Sequence, residues 1–114
     1  MELSKKHCKA CEGDAEPLSH AEGEKLRQEI GSWHMEGDKK IEKTFVFKNF
    51  KEALDFVNKV GVIAEAEDHH PDISIFSYKK VKIELTTHSL GGLSENDFIL
   101  ASKINETLPT GRQV

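Results

Sequence analysis

From Lys80 to Leu85, apolar and charged residues alternate without a break: Val81, Ile83 and Leu85 stand between Lys80, Lys82 and Glu84. Successive strand side chains point to opposite faces, so this run reads as a half-buried antiparallel strand that needs cover on one side. Phe50, Ala53, Leu54, Val57, Val60 and Ala64 recur at three- and four-residue spacing and offer that cover. Asn49 caps the helix they predict, with Glu52 reaching back, and the pattern runs to about Glu67. It is the strongest amphipathic signal in the chain, and it predicts the central core helix.

The other elements arrange themselves around these two. Ser19 and Glu22 form a capping box for a short helix that carries Leu26 and Ile30 on one face and stops at Gly31. WHME and KKIEKTFVF read as a hairpin turning at Gly37-Asp38, with Ile41, Phe45 and Phe47 on one face. DISIF pairs with the alternating strand through a turn at Ser77 to Lys79. Ser94 and Asp97 cap a last helix whose stripe is Phe98, Ala101, Ile104 and Leu108, ended by Pro109. The expected fold is α+β, ordered α-β-β-α-β-β-α, with a four-stranded antiparallel sheet and three helices packed on one face. Self-association through an edge strand or the open sheet face would cover what the helices leave bare.

The chain has 114 residues, room for one domain with one modest core. Residues 1–16 are expected to form a flexible polar tail, 17–108 the domain, and 109–114 a C-terminal tail. The N-terminus lacks the apolar region of a secretory signal and no stretch is apolar enough to span a bilayer, so a cytoplasmic protein without membrane contact is expected. The net charge is -4 and lysines alternate with glutamates, which argues against direct nucleic-acid binding. Cys8 and Cys11 form a CxxC, but it lacks a second ligand pair and a strand–helix setting, so reduced tail thiols are expected.

The unusual run is Glu65-Ala-Glu67-Asp68-His69-His70-Pro71. Pro71 forces His70 into extended backbone, so the two imidazoles should point to different sides; they can flank a planar ligand but would grip one metal ion badly. His88 closes the last strand. If DISIF and KVKIELTT pair as a hairpin, Asp68-His69-His70 comes close to Thr86-Thr87-His88. A lone histidine at a strand end is usually solvated; three converging at one end of a hairpin are less easily dismissed that way.

These residues resemble the pterin-4a-carbinolamine dehydratase family. The likeness runs from Pro17 to about Leu108 and is carried by Trp33, Phe45-Val46-Phe47-Lys48-Asn49-Phe50, the Glu65–Asp72 run, Lys80–His88 and Gly91-Gly92-Leu93-Ser94. HHP followed by TTHxxGGLS is its specific signature. The resemblance implies that Glu65 is the active-site acid, His69 and His70 the paired histidines and His88 the third. Asp68, Thr86, Thr87 and Ser89 would contact a pterin, with Trp33 near the site. It implies dehydration of a 4a-hydroxytetrahydropterin to quinonoid dihydropterin in tetrahydropterin recycling, by a homodimer or homotetramer, with neither cofactor nor metal. His69 or His88 would be the acid and His70 the base, with Glu65 or Asp68 orienting an imidazole. The family also includes dimerisation partners of transcription factors, so a protein-binding role is the alternative. The stretch from Pro71 to His88 is one residue longer than the family's usual spacing, and a bulge or longer turn near Phe76-Ser77 is expected to absorb it.

Overall fold

A computed structural model describes residues 3–8 and 16–108 of the chain. Helix α1 (His20–Ile30) begins where Ser19, in extended backbone, accepts Glu22 N–H while the Glu22 carboxylate accepts Ser19 N–H at 2.9 Å. These reciprocal bonds satisfy donors that a helix start leaves orphaned. Gly31 ends the helix at a φ of 77°, which a side chain would resist. Strands β1 (His34–Glu36) and β2 (Lys40–Val46) form the first hairpin, with Gly37 and Asp38 both at positive φ in its turn. Asn49 caps α2 (Phe50–Glu67) by accepting Glu52 N–H, and the Glu52 carboxylate reaches one residue further back than expected, to Lys48 N–H at 2.9 Å. β3 (Asp72–Phe76), β4 (Lys80–Leu85) and α3 (Glu95–Asn105) complete the predicted order α-β-β-α-β-β-α.

The sheet is antiparallel throughout, in the order β1-β2-β4-β3. Ile41 faces Leu85, Phe45 faces Val81, and Ile73 faces Ile83, so their side chains share the helix-covered face. The β3–β4 turn holds three residues, Ser77 to Lys79, with Ser77 and Tyr78 left-handed. The ladder that this turn closes runs in unbroken register from Asp72 opposite Glu84 to Phe76 opposite Lys80. On the open face Glu42 and Glu84 lie directly opposite each other, which alone would be repulsive. Lys40 and Lys82 reach Glu84 at 3.1 and 3.2 Å, and their hydrogen bonds hold its carboxyl below the usual range.

Burial of the helices differs from expectation in two places. In α2 the buried stripe is Ala53, Phe56, Val60 and Ala64, whereas Phe50 and Leu54 are 50% and 39% exposed. The helix is apolar on more than one side, and spacing alone does not say which side meets the sheet. The central core helix is α3, not α2: every residue from Asn96 to Ala101 is buried, because α1, α2 and residues 3–5 all pack on it. The buried run of α3 includes the polar Asn96 and Asp97, so its burial follows no apolar periodicity and its sequence signal was the weaker one. The expected tail also behaves differently where it is described. Leu3–Lys5 form a short 3₁₀ turn against α3, with Leu3 in the core. Cys11 and Pro109 lie outside the described residues. Among the described residues no helix is long and apolar enough to cross a membrane.

Gly92 is fixed by a close approach. A Cβ there would stand 2.9 Å from Pro17 Cβ, where Leu18 N–H bonds Leu93 O at 2.8 Å. Gly92→Ala is therefore expected to cost about 1–3 kcal/mol by overpacking. Urea denaturation should show a lower midpoint at unchanged slope.

Candidate active site

Helix α2 ends at Asp68, which takes left-handed backbone at a φ of 52°. His69 N–H closes back on Ala64 O at 3.2 Å, the Schellman arrangement that lets the chain leave a helix sharply. Pro71 then keeps the chain extended into β3. The two imidazoles diverge as expected. The His69 ring turns inward, 13% exposed, with Nε2 2.6 Å from Asp97 Oδ1. The His70 ring turns outward, 56% exposed, with Nε2 2.5 Å from Glu65 Oε1. Glu65 thus orients His70, although it lies one turn before His69.

Asp97 is the residue that assembles the corner. It sits in the first turn of α3 with no exposed surface, and its Oδ2 accepts Ser94 N–H at 3.0 Å and Thr87 Oγ1–H at 2.9 Å. The Thr87 and Ser94 hydroxyls meet at 2.7 Å, and Thr87 N–H bonds Gly92 O at 2.9 Å. One carboxylate therefore ties the end of β4, the start of α3 and the His69 ring together. A carboxylate can only accept, so His69 Nε2 carries its hydrogen and Nδ1 is the nitrogen left for exchange with a ligand.

His88, next to Thr87, opens a short 3₁₀ turn (His88–Leu90) and has an exposed side chain. The chain His69–Asp97–Thr87 thus brings the His69-His70 and Thr86-Thr87-His88 segments together, as hairpin geometry predicts. Asp68 and Ser89 are exposed beside them. Thr86 is held by the neighbouring hairpin: its hydroxyl bonds Lys39 O at 2.5 Å.

Two candidate ligand contacts are turned inward in this chain. Thr87 is 5% exposed and its hydroxyl is committed to Asp97. Trp33 is 1% exposed, packs edge-on to Phe45, and donates its indole N–H to Asn105 Oδ1 at 3.0 Å. Asn105 in turn donates to Ile30 O, so the indole locks α1 to α3. A cavity of about 190 Å³ opens elsewhere, between Phe47, Phe56, Lys59 and Leu108, and includes none of the candidate residues. Among the described residues no three His, Cys, Asp or Glu side chains converge as a metal-binding set.

Residues 16–107 match the family described as pterin 4 alpha carbinolamine dehydratase. The chain belongs to this family. A relative from Nitrosospira multiformis, provisionally named as such a dehydratase, is 49% identical over 91% of this chain and 90% of its own length. The Arabidopsis thaliana mitochondrial pterin-4-alpha-carbinolamine dehydratase 2 is 41% identical over 92% of this chain and 58% of its own. A crystal structure described as a transcriptional coactivator/pterin dehydratase from Brucella melitensis superposes with a TM-score of 0.73, at 32% identity, over 78% of this chain and 95% of that one. The family match spans Glu65, His69, His70 and His88, and Asp97 with them.

The reading of the sequence missed Asp97 as a site residue, seeing it only as a helix cap. A cap whose helix start is buried must find its remaining donors in other segments, and no local pattern reveals that burial. Asp97→Ala strands donors from three segments and is expected to cost about 3–5 kcal/mol in chemical denaturation.

Proposed function

We propose that the protein dehydrates 4a-hydroxytetrahydropterins to quinonoid dihydropterin and water, in tetrahydropterin recycling. The observation that carries this reading is a corner holding three histidines in different settings: His69 seated on a buried carboxylate, His70 on an exposed one, and His88 exposed in the 3₁₀ turn that follows β4. Family membership supports it. The reaction is an elimination. The C4a–O bond breaks as the hydroxyl takes a proton and leaves as water, and a proton leaves the neighbouring ring nitrogen as its double bond to C4a forms. No electrons enter or leave, so the proton balance is met by a general acid and a general base alone.

Asp97 holds the His69 ring at Nε2, so that when the ring carries a second proton its Nδ1–H has the departing hydroxyl as recipient; His88 is the other candidate acid. His70, turned to the opposite side and oriented by Glu65, takes the proton from the ring nitrogen. Asp68, Thr86 and Ser89 are the candidate pterin contacts, while Thr87 and Trp33 serve the site indirectly through Asp97 and the core. Work in the cytoplasm without a cofactor or direct nucleic-acid contact fits this chemistry.

His69→Ala or His88→Ala should slow enzymatic dehydration of freshly generated 4a-hydroxytetrahydropterin, followed by ultraviolet absorbance, by roughly 10²- to 10⁴-fold with the fold retained. Turnover unchanged in both would remove the scheme.

A protein-binding role has its own observation. Phe50 and Leu54, one turn apart on α2, are 50% and 39% exposed, and Val62 is 71% exposed. A homodimer or homotetramer would cover such a ridge, and so would a partner protein. Light scattering should find an oligomer in the wild type and a smaller species for Phe50→Lys; a wild-type monomer at micromolar concentration would contradict this.

A further inference from the structure

Glu67, two residues before His69, is the most enclosed acid at the end of α2, with a side chain 7% exposed. Its partners come from outside that helix. Oε1 accepts Cys8 N–H at 2.7 Å, Oε2 meets His7 Nδ1 at 2.9 Å, and Lys103 of α3 lies 3.6 Å away. Burial works to raise the carboxyl, but these three partners together outweigh it and hold Glu67 below the usual range.

The segment that supplies Cys8 and His7 is pinned along α3. Leu3 is buried, Ser4 Oγ–H bonds Glu106 at 2.6 Å, and Lys6 pairs with Glu95 at 2.8 Å. Lys103 donates to Ser4 O at 2.7 Å, so the cation beside Glu67 is itself held by the segment. Burial first, then the Glu67 and Asp97 carboxylates, push the Cys8 thiol up to about 12. It stays protonated at neutral pH and is no nucleophile; its Sγ–H makes a long contact to Asn96 O at 3.6 Å, while the short bond from the segment to Glu67 is the backbone N–H. Residues 3–8 lie outside the 16–107 stretch that matches the family.

We propose that residues 3–8 form a strap that positions His69, with Glu67 as the positioning residue through which it acts. His69 needs two supports: the end of α2, where its N–H closes the helix cap, and Asp97 on α3, which holds its ring. The strap bonds both elements, across Glu67 on one side and Glu95, Lys103 and Glu106 on the other. Released, the end of α2 can drift from α3, and the imidazole then leaves the geometry that proton transfer requires.

The test compares Glu67→Gln and Cys8→Pro with Cys8→Ala in the full chain. Proline deletes the N–H that Glu67 accepts, whereas alanine keeps it and deletes only the thiol. The readouts are kcat and KM on protein shown to be folded by circular dichroism, and solvent exchange of the His69 Nε2–H proton by NMR. Glu67→Gln and Cys8→Pro should each lower kcat on the order of 10-fold with little change in KM, and speed exchange of the ring proton; Cys8→Ala should do neither. Unchanged kcat and exchange in folded Glu67→Gln would overturn the strap, as would equal losses in Cys8→Ala and Cys8→Pro. The isosteric Glu67→Gln decides the question if Cys8→Pro does not fold. The activity arm rests on the dehydratase reading. If the wild type does not dehydrate the pterin, that reading alone fails, and ring-proton exchange still decides whether the strap holds His69.

Discussion

The buried carboxylate of Asp97 is the interaction on which the rest of the corner depends. An unpaired charge at zero exposure would cost several kcal/mol, so α3 can begin inside the protein only if donors converge on it. They come from Thr87 at the end of β4, from Ser94 at the helix start and from His69 beyond α2. Folding and site assembly are therefore one requirement. The segments must meet for the carboxylate to be satisfied, and when they meet the His69 ring has one direction to face. Neighbouring His70 takes the opposite exposure because Pro71 keeps the chain extended there, which puts two imidazoles in different environments within one dipeptide.

The sheet supplies the distances. Because β3 and β4 pair in register through a three-residue turn, the residues entering β3 and those leaving β4 lie at the same end of the hairpin. The loop after β4 is held from two sides, by Thr86 on Lys39 O and by Gly92 pressed against Pro17. His88 is thus carried on a braced segment, although its own side chain is open to solvent. The apolar row of Ile41, Phe45, Val81, Ile83 and Leu85 anchors this frame beneath α2 and α3, while the opposite face balances Glu42 and Glu84 with Lys40 and Lys82.

Much of this was legible in the residues. Alternation from Lys80 to Leu85, the caps at Ser19, Asn49 and Ser94, and the turns at Gly37-Asp38 and Ser77–Lys79 are local signals, and the elements they predict are present. The histidines stood out because HHP and TTH serve no need of a helix end or a strand end. What stayed hidden depends on contacts between distant segments. Phe56 rather than Phe50 enters the core because α2 is apolar on two sides. The primacy of α3 was masked because its buried run includes the polar Asn96 and Asp97, which leave no clean apolar stripe to read. Leu3 gave no periodicity to read, and the partners of Glu67 and Asp97 come from up to 60 residues away in sequence.

The most direct test of the account is a crystal structure with 7,8-dihydrobiopterin bound, since the central claim is that a pterin lies in the histidine corner with His69 Nδ1 facing it. The account predicts the ring between His69-His70 and His88, with Nδ1 of His69 in hydrogen-bond contact and Nε2 still on Asp97. A pterin seated instead in the cavity between Phe47, Phe56 and Leu108, or a His69 ring flipped away from Asp97 in the complex, would contradict it.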